Sequence, residues 1–453
     1  MSLTASRRAA RQVLSDVRSR EAWAHDVLAA RLSRSGMIDS DTAFATRLVY
    51  GTLATQGTLD EALDRHLDRP GRVHPLVRDA LRLAAYEILF MRTPARVAVH
   101  QGVDSVREVA GGAAGLANAV LRRLSEEAEA FPWGDPATDL AALARLTGHP
   151  LWLAELLVRD LGLAAAREMM EADLEPAPLY LAHNPFVGDF AQLMARLVAE
   201  GVDPQTYGPG GCIVAGSPAA AVRGDSLASG ACVVADAAAQ FVASLSAPPP
   251  GGSGVDIAAG RGTKTLLMQA SSLRQGGVAT LLAADIHSFK TELLARRMEE
   301  LGVPDVRIVV ADCTDESAVE VLGGPASADA VLVDAPCSGL GTLRRHPEKR
   351  WRLSPQDIPA VAAVGAAMLT TASRLVRPGG FVVYSTCTVT ESENTAVVRG
   401  FLENAAGEGF FTRQLGSTGL PGWEPFVTSE GWFASRPRIG GPDGHFAAVL
   451  QRQ

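Results

Sequence analysis

Two apolar runs constrain this chain more than any other feature: Val331-Leu332-Val333, ending in Asp334-Ala335-Pro336-Cys337, and Phe381-Val382-Val383-Tyr384, ending in Ser385-Thr386-Cys387. Neither shows the alternation of a strand with one wet face, and each stops in a polar turn. Continuous apolar runs of this length are strands buried on both faces, as in parallel sheets covered by helices. In open α/β sheets, ligands gather outside the carboxyl ends of the strands. If the two runs are neighbours, Asp334, Cys337 and Cys387 converge on one crevice. Two thiols and a carboxylate in such a place point to covalent chemistry.

The preceding sequence supplies the rest of such a sheet. From about residue 253, strand and helix patterns alternate, which implies parallel strands joined by right-handed crossovers. Strands are expected at 255–257, 279–284 and 306–310, and helices over 289–301 and 358–376. The first strand runs into Ala258, Ala259, Gly260, Arg261, Gly262, Thr263 and Lys264. Small residues there let backbone N–H groups approach a ligand, with a helix N-terminus behind them. It is not a Walker A loop, because Thr263 stands where Gly must precede the Lys, nor a dinucleotide fingerprint, because Thr265 replaces the third glycine. Asp285 lies 23 residues past Gly262, near the roughly 20 at which an acidic group meets a ribose diol. Asp256, Asp285 and Asp312 each stand in or close behind a strand. Any one alone reads equally as a helix N-cap. Three in series favour a bound nucleoside with free hydroxyls and an amine.

With 453 residues, two or three domains are expected. Residues 1–130 read as an all-α bundle: Ala9, Ala10, Val13, Leu14 and Val17 share one helical face, and Val77, Leu81, Ala84, Ala85 and Ile88 another. Residues 131–235 read as a Pro/Gly-punctuated linker to about 150, then a small α+β, RRM-like module. Residues 236–453 read as the α/β domain. No apolar run approaches the roughly 18–20 residues of a membrane span, and residues 1–8 carry no apolar signal segment. Five scattered cysteines without a CxxC argue against a disulfide framework or a structural zinc, and for a reducing cytoplasm.

The formal net charge of −8 weighs against a nucleic-acid partner, yet residues 1–125 hold 18 Arg against 13 Asp and Glu. That excess is either a solvated helical surface or a face for phosphate. Residues 343–352 place Arg344, Arg345, Lys349, Arg350 and Arg352 around Trp351. Cations beside a ring that can stack on a base read as a nucleic-acid contact, the alternative being a solvated basic loop.

Two resemblances follow. Leu48-Val49-Tyr50-Gly51, the segment 83–89, the helix expected from His100 to Ala110 and Gly115-Leu116-Ala117-Asn118-Ala119-Val120-Leu121-Arg122-Arg123 resemble the NusB fold, a helical RNA-binding module. The ordered set Asp256, Gly262, Lys264-Thr265, Asp285, Asp312, Asp334-Ala335-Pro336-Cys337-Ser338-Gly339 and Ser385-Thr386-Cys387-Thr388 resembles the NOL/NOP/Sun family of RNA (cytosine-5)-methyltransferases. With the NusB-like N-terminus, the arrangement is similar to bacterial members of that family acting on 16S rRNA.

The resemblance implies a Rossmann-like class I methyltransferase domain, a cytoplasmic location, and RNA as partner with neither membrane nor metal; a monomer is the default. It implies Cys387 as the nucleophile, Cys337 as the release residue and Asp334 as an acid or donor near N3 of the base. It places S-adenosylmethionine along residues 258–264, with Asp285 at the ribose, Asp312 near the adenine and Asp334 near the methionine moiety. The first motif departs from the family's Asp-x-Cys-Ala-Ala-Pro-Gly-Gly-Lys-Thr at Ala258, Gly260, Arg261 and Thr263. Alternatives within reach of the sequence are a cytosine-5 methyltransferase of another RNA such as tRNA, and a catalytically silent RNA-binding assembly factor. A nicotinamide dehydrogenase would leave the cysteine pair unexplained.

Overall fold

The computed structural model describes residues 2–208, 210–417 and 422–453. Its contacts divide the chain into two compact units, Met1–Pro176 with Leu343–Pro355, and Ala177–Thr342 with Gln356–Gln453. This differs from the boundaries expected at 130 and 235, and each difference has a physical reason.

The first unit is helical. Pro75–Leu89 is its central helix, with eleven of its 15 residues buried, and Leu81, Ala84 and Ala85 pack in the same core as Val13, Leu48, Val106 and Leu121. Tyr86 requires a glycine opposite it, because a Cβ on Gly51 would stand 2.0 Å from its ring. The stretch expected as a linker to about 150 instead contains the helix Leu140–Thr147, followed by Leu151–Leu161 and Leu163–Ala172. Asp139 caps the first of these by accepting from the Ala141 N–H. Arg145 then joins it to the bundle through Glu61 at 2.9 Å and through its carbonyl, which accepts from Thr58 Oγ1.

Residues Leu343–Pro355 belong to this unit, and their structure overturns the reading of a basic loop offering Trp351 to a base. Arg350 is fully buried and donates to the carbonyls of Thr147, Gly148 and Asp173. Trp351 donates its indole N–H to the Leu53 carbonyl at 2.8 Å, and its ring fills the space a Cβ on Gly57 would need. Glu348 accepts from the Ala24 N–H at 2.8 Å. The segment is a strap whose Arg350, Arg352 and Trp351 side chains donate to carbonyls of the helical unit.

Arg350→Ala is therefore expected to cost about 3 kcal/mol in urea unfolding, because three buried carbonyls lose their donor. The slope of RNA affinity against log salt should not change. A phosphate contact would instead lower that slope by about one and leave stability alone.

The second unit holds two sheets. The smaller has strands β1 (Tyr180–His183), β2 (Pro204–Thr206), β3 (Cys212–Ala215) and β4 (Cys232–Val234), all antiparallel in the order β2-β3-β1-β4. With helix Phe190–Ala199 after β1 and short helices before β4, this is the expected RRM-like layout, β2 being the strand the sequence did not reveal. It shares a core with the larger sheet: Tyr180, Ala182, Cys212 and Val233 pack in one cluster with Phe241, Leu266 and Leu281. A shared core is why contacts show no boundary at 235.

The larger sheet has β5 (Ser253–Ile257), β6 (Thr280–Asp285), β7 (Val306–Val310), β8 (Ala328–Asp334), β9 (Val376–Thr386), β10 (Phe410–Thr412), β11 (Phe433–Ala434) and β12 (Phe446–Arg452). The order is β10-β12-β9-β8-β5-β6-β7, with β11 on β12. β7-β6-β5-β8-β9 are parallel, and β12 runs antiparallel beside β9. Successive strands spread outward from β5 to β7, then the chain crosses back to β8. The switch point lies between β5 and β8, so a ligand crevice is expected outside their carboxyl ends. Helix Asp357–Leu375, which links β8 to β9, is among the described residues the one helix long and apolar enough to cross a membrane. Its Met368, Leu369 and Ala372 are buried in the core of the sheet instead.

Candidate active site

β8 and β9 are parallel neighbours with Asp334 opposite Ser385, so the turns beyond them leave the sheet side by side. Cys337 comes three residues after Asp334 and Cys387 two after Ser385, and their sulfurs lie 3.3 Å apart. The Cys387 N–H also points at the Cys337 sulfur, at 3.3 Å. Both thiols are partly exposed, whereas Cys212, Cys232 and Cys313 are buried. Burial pushes Cys212 and Cys313 up to about 12 and Cys232 up to about 11, which makes them inert as nucleophiles.

Asp334 ends β8 and pairs with Lys264, Oδ2 to Nζ, at 2.7 Å; its Oδ1 accepts from Ser385 Oγ at 3.2 Å. Burial works against the Lys264 ammonium, but Asp334, with Cys387 and Asp256 nearby, outweighs it and raises the Lys264 pKa. Lys264 sits in the first turn of helix Thr263–Arg274, whose N-cap is Gly262 at φ +76°. A Cβ on Gly262 would also stand 2.9 Å from Met298 and 3.0 Å from Leu294, so this position needs glycine twice over. Arg297 secures the altered loop by donating to the Arg261 carbonyl and to Thr263 Oγ1, both at 2.9 Å. Ala258 takes a left-handed φ of +65°, a cost an L-residue bears only where the surroundings enforce it.

Asp256 is buried at the end of β5. Its Oδ2 accepts from Thr265 Oγ1 at 2.6 Å, and its Oδ1 has no hydrogen-bond partner. Burial pushes its carboxyl up to about 7, with the Thr265 hydrogen bond pulling the other way. A carboxyl held neutral by the fold contributes stability below the ordinary carboxyl pKa, and that contribution is lost as pH rises towards 7. Asp256→Asn should lack this decline. The stability difference between the two proteins should shift by up to about 4 kcal/mol between pH 4 and pH 7.5, read by denaturant unfolding.

Asp285, at the end of β6, accepts from the Gly260 N–H at 3.2 Å and the His287 N–H at 2.9 Å, which ties the loop after β5 to β6. Asp312, just past β7, is exposed and accepts from the Thr314 hydroxyl and N–H, which lower its pKa. Asp256, Asp285 and Asp312 thus stand in or just past the carboxyl ends of the neighbouring parallel strands β5, β6 and β7.

Of the residues singled out in the sequence, the structure brings Cys337 against Cys387, and Asp334 against Lys264 of the loop 258–264. The sequence did not reveal that Lys264 closes on Asp334, that Ser385 bonds the same carboxylate, or that Glu393 reaches both cysteine turns. The signal for Lys264 was weak: one of only three lysines in the chain, placed at a glycine loop.

A family model described as 16S rRNA methyltransferase RsmB/F matches residues 243–448, and the NusB family model matches residues 4–126. A putative methyltransferase of Mycobacterium tuberculosis is 33% identical over 99% of this chain and 97% of its own length. The ribosomal RNA small subunit methyltransferase B of Thermus thermophilus is 34% identical over 93% of this chain and 91% of its own. Among solved structures, PH0851 matches with a TM-score of 0.81 over 100% of both chains at 22% identity. A methyltransferase homolog protein from Pyrococcus horikoshii matches with a TM-score of 0.59 at 20% identity, over 71% of this chain and 100% of its own. The structural likenesses speak to the fold alone. Relatives above 30% identity along nearly the full length, with both expected modules matched in place, settle the family: the chain belongs to the RsmB/F family of RNA methyltransferases and carries a NusB-family domain at its N-terminus.

Proposed function

We propose that this enzyme transfers a methyl group from S-adenosylmethionine to C5 of a cytosine in 16S rRNA, through a covalent cysteine adduct at C6. The observation that carries this reading is the pair of partly exposed thiols 3.3 Å apart at the ends of adjacent parallel strands. Cytosine C5 is a poor nucleophile. A thiolate adding to C6 breaks the C5=C6 double bond and turns C4–C5 into an enamine whose C5 can attack an electrophilic carbon. Loss of the C5 proton then expels the thiolate and restores aromaticity. Cys387 is the nucleophile in this scheme. Its nearness to the Lys264 ammonium supports that choice. Cys337 serves the release step. The Asp334–Lys264 pair stands beside both and supplies hydrogen bonding to N3 as electron density builds on the ring.

S-adenosylmethionine supplies the methyl sulfonium. The residues that would hold it fit: the N–H groups of the loop 258–264, Asp285 for the ribose diol and Asp312 beside the adenine. Ile286 and Val310, 54% and 52% exposed, stand next to those two strand ends as apolar surfaces for a flat base. The choice of 16S rRNA is supported by the small-subunit methyltransferases this chain is similar to. Bisulfite sequencing of 16S rRNA and tRNA, from cells with and without the gene, tests the reading. One protected cytosine in 16S rRNA should lose protection without the gene. A loss in tRNA alone, or none, would refute it.

A further inference from the structure

We infer that Glu393 is the positioning residue of this active site: its carboxylate fixes the separation and direction of the Cys337 and Cys387 thiols. Glu393 is 1% exposed. Its Oε1 accepts from the Ser338 N–H at 2.6 Å. Its Oε2 accepts from Ser338 Oγ at 2.7 Å, Thr390 Oγ1 at 2.6 Å and Thr388 Oγ1 at 3.3 Å. Ser338 directly follows Cys337, and Thr388 directly follows Cys387. One carboxylate therefore grips the residue after each thiol: Ser338 Oγ donates to it, and Thr388 Oγ1, with one proton to give, donates either to it or to Ser338 Oγ 2.8 Å away.

The clasp is itself anchored. The Glu393 carbonyl accepts from Tyr384 Oη at 2.7 Å, and Tyr384 lies within β9. Asn394 completes it, its Oδ1 accepting from Thr386 Oγ1 at 2.6 Å and its Nδ2 donating to the Thr388 carbonyl at 3.1 Å. Cys387 is thus held on both sides. Read from sequence, Glu393 and Asn394 simply open a helix. In the structure the Glu393 side chain bonds the two cysteine turns, ahead of the helix Thr395–Glu403. The chemistry suits a carboxylate: the Ser338 N–H, Ser338 Oγ and Thr390 Oγ1 converge on it as donors, with Thr388 Oγ1 in reach, and an acceptor-only group can take them all. An amide would turn an N–H₂ towards hydroxyls or an N–H.

This inference rests on the thiol chemistry proposed above, so its test uses one readout with RNA and one without. The first is steady-state methylation. The second is bridging of Cys337 to Cys387 by a bis-alkylating bimane that fluoresces when both ends have reacted, with Cys337→Ala as the blank. The other three cysteines are buried, so full-length protein serves. Glu393→Gln is expected to lower kcat about 30- to 100-fold and slow bridging roughly fivefold or more, as small misplacements of reacting groups do. KM for both substrates should stay within about threefold, because ground-state binding is untouched. Ser338→Ala should show the same split more weakly, and it decides the matter if Glu393→Gln does not fold. Unchanged bridging with a reduced kcat overturns the clasp and leaves the covalent chemistry standing. Slowed bridging with an unchanged kcat removes the thiols from the chemistry, and with them any catalytic meaning of the clasp.

Discussion

Cys337→Ala protein, incubated with RNA and S-adenosylmethionine, is expected to run on a denaturing gel as a protein–RNA conjugate that ribonuclease destroys, and Cys387→Ala protein is not. If Cys387 forms the bond to C6, its loss removes the adduct and every step after it. Methyl transfer should then fall by about 10⁴-fold or more, as when other catalytic nucleophiles are removed. Cys337→Ala leaves attack and methyl transfer possible but removes the group that serves release, so the adduct accumulates. Both thiols must reach one pyrimidine ring, and sulfurs 3.3 Å apart meet that condition. A stable conjugate from Cys387→Ala, with none from Cys337→Ala, would exchange the two roles.

Asp334→Asn should be the next most damaging change, lowering methyl transfer by about 10²- to 10⁴-fold, the range of a lost acid–base or hydrogen-bonding partner. Asp334 and Lys264 form a largely enclosed pair, 28% and 15% exposed, so neutralising one leaves the other charge poorly compensated beside the cysteines. The two act as a unit. Lys264→Met combined with Asp334→Asn should therefore be little worse than either alone, a coupling that a double-mutant cycle on kcat measures. The raised Lys264 pKa keeps the ammonium charged throughout the neutral range, and the pair is lost only as pH rises through that raised value. No fall in rate between pH 6 and 9 should then trace to Lys264. An Asp334→Asn enzyme within about tenfold of wild type would take the pair out of the chemistry.

The parallel sheet was legible because β8 and β9 are apolar on both faces, a pattern with few other solutions. Their cysteines were legible as a pair for the same reason, since adjacent parallel strands deliver their ends to one place. Lys264 and Asp334 are 70 residues apart, and nothing local in either segment announces the other. Glu393 was hidden by its position: a carboxylate just before a helix reads as a cap, and only coordinates show it turned towards Ser338 and Thr388. Arg350 and Trp351 misled for a different reason. Composition records that cations flank an indole but not whether either meets water, and here the guanidinium is spent on main-chain carbonyls. The helix Leu140–Thr147 escaped notice because Pro132, Gly134 and Pro136 immediately precede it and make the region read as punctuation.

The strap Leu343–Pro355 also sets an order of events during synthesis. Chains generally fold from the N-terminus as they leave the ribosome. The helices up to residue 176 emerge first, but the guanidinium that caps the carbonyls of Thr147, Gly148 and Asp173 is translated only after residues 177–342, and so after strands β1 to β8. A nascent chain short of residue 343 carries a helical unit with an unfilled seat beside Leu53 and Gly57. A gene cut at residue 176 would leave the strap, and the guanidinium that serves those carbonyls, on the second reading frame, so the N-terminal unit is complete only after elongation through most of the parallel sheet.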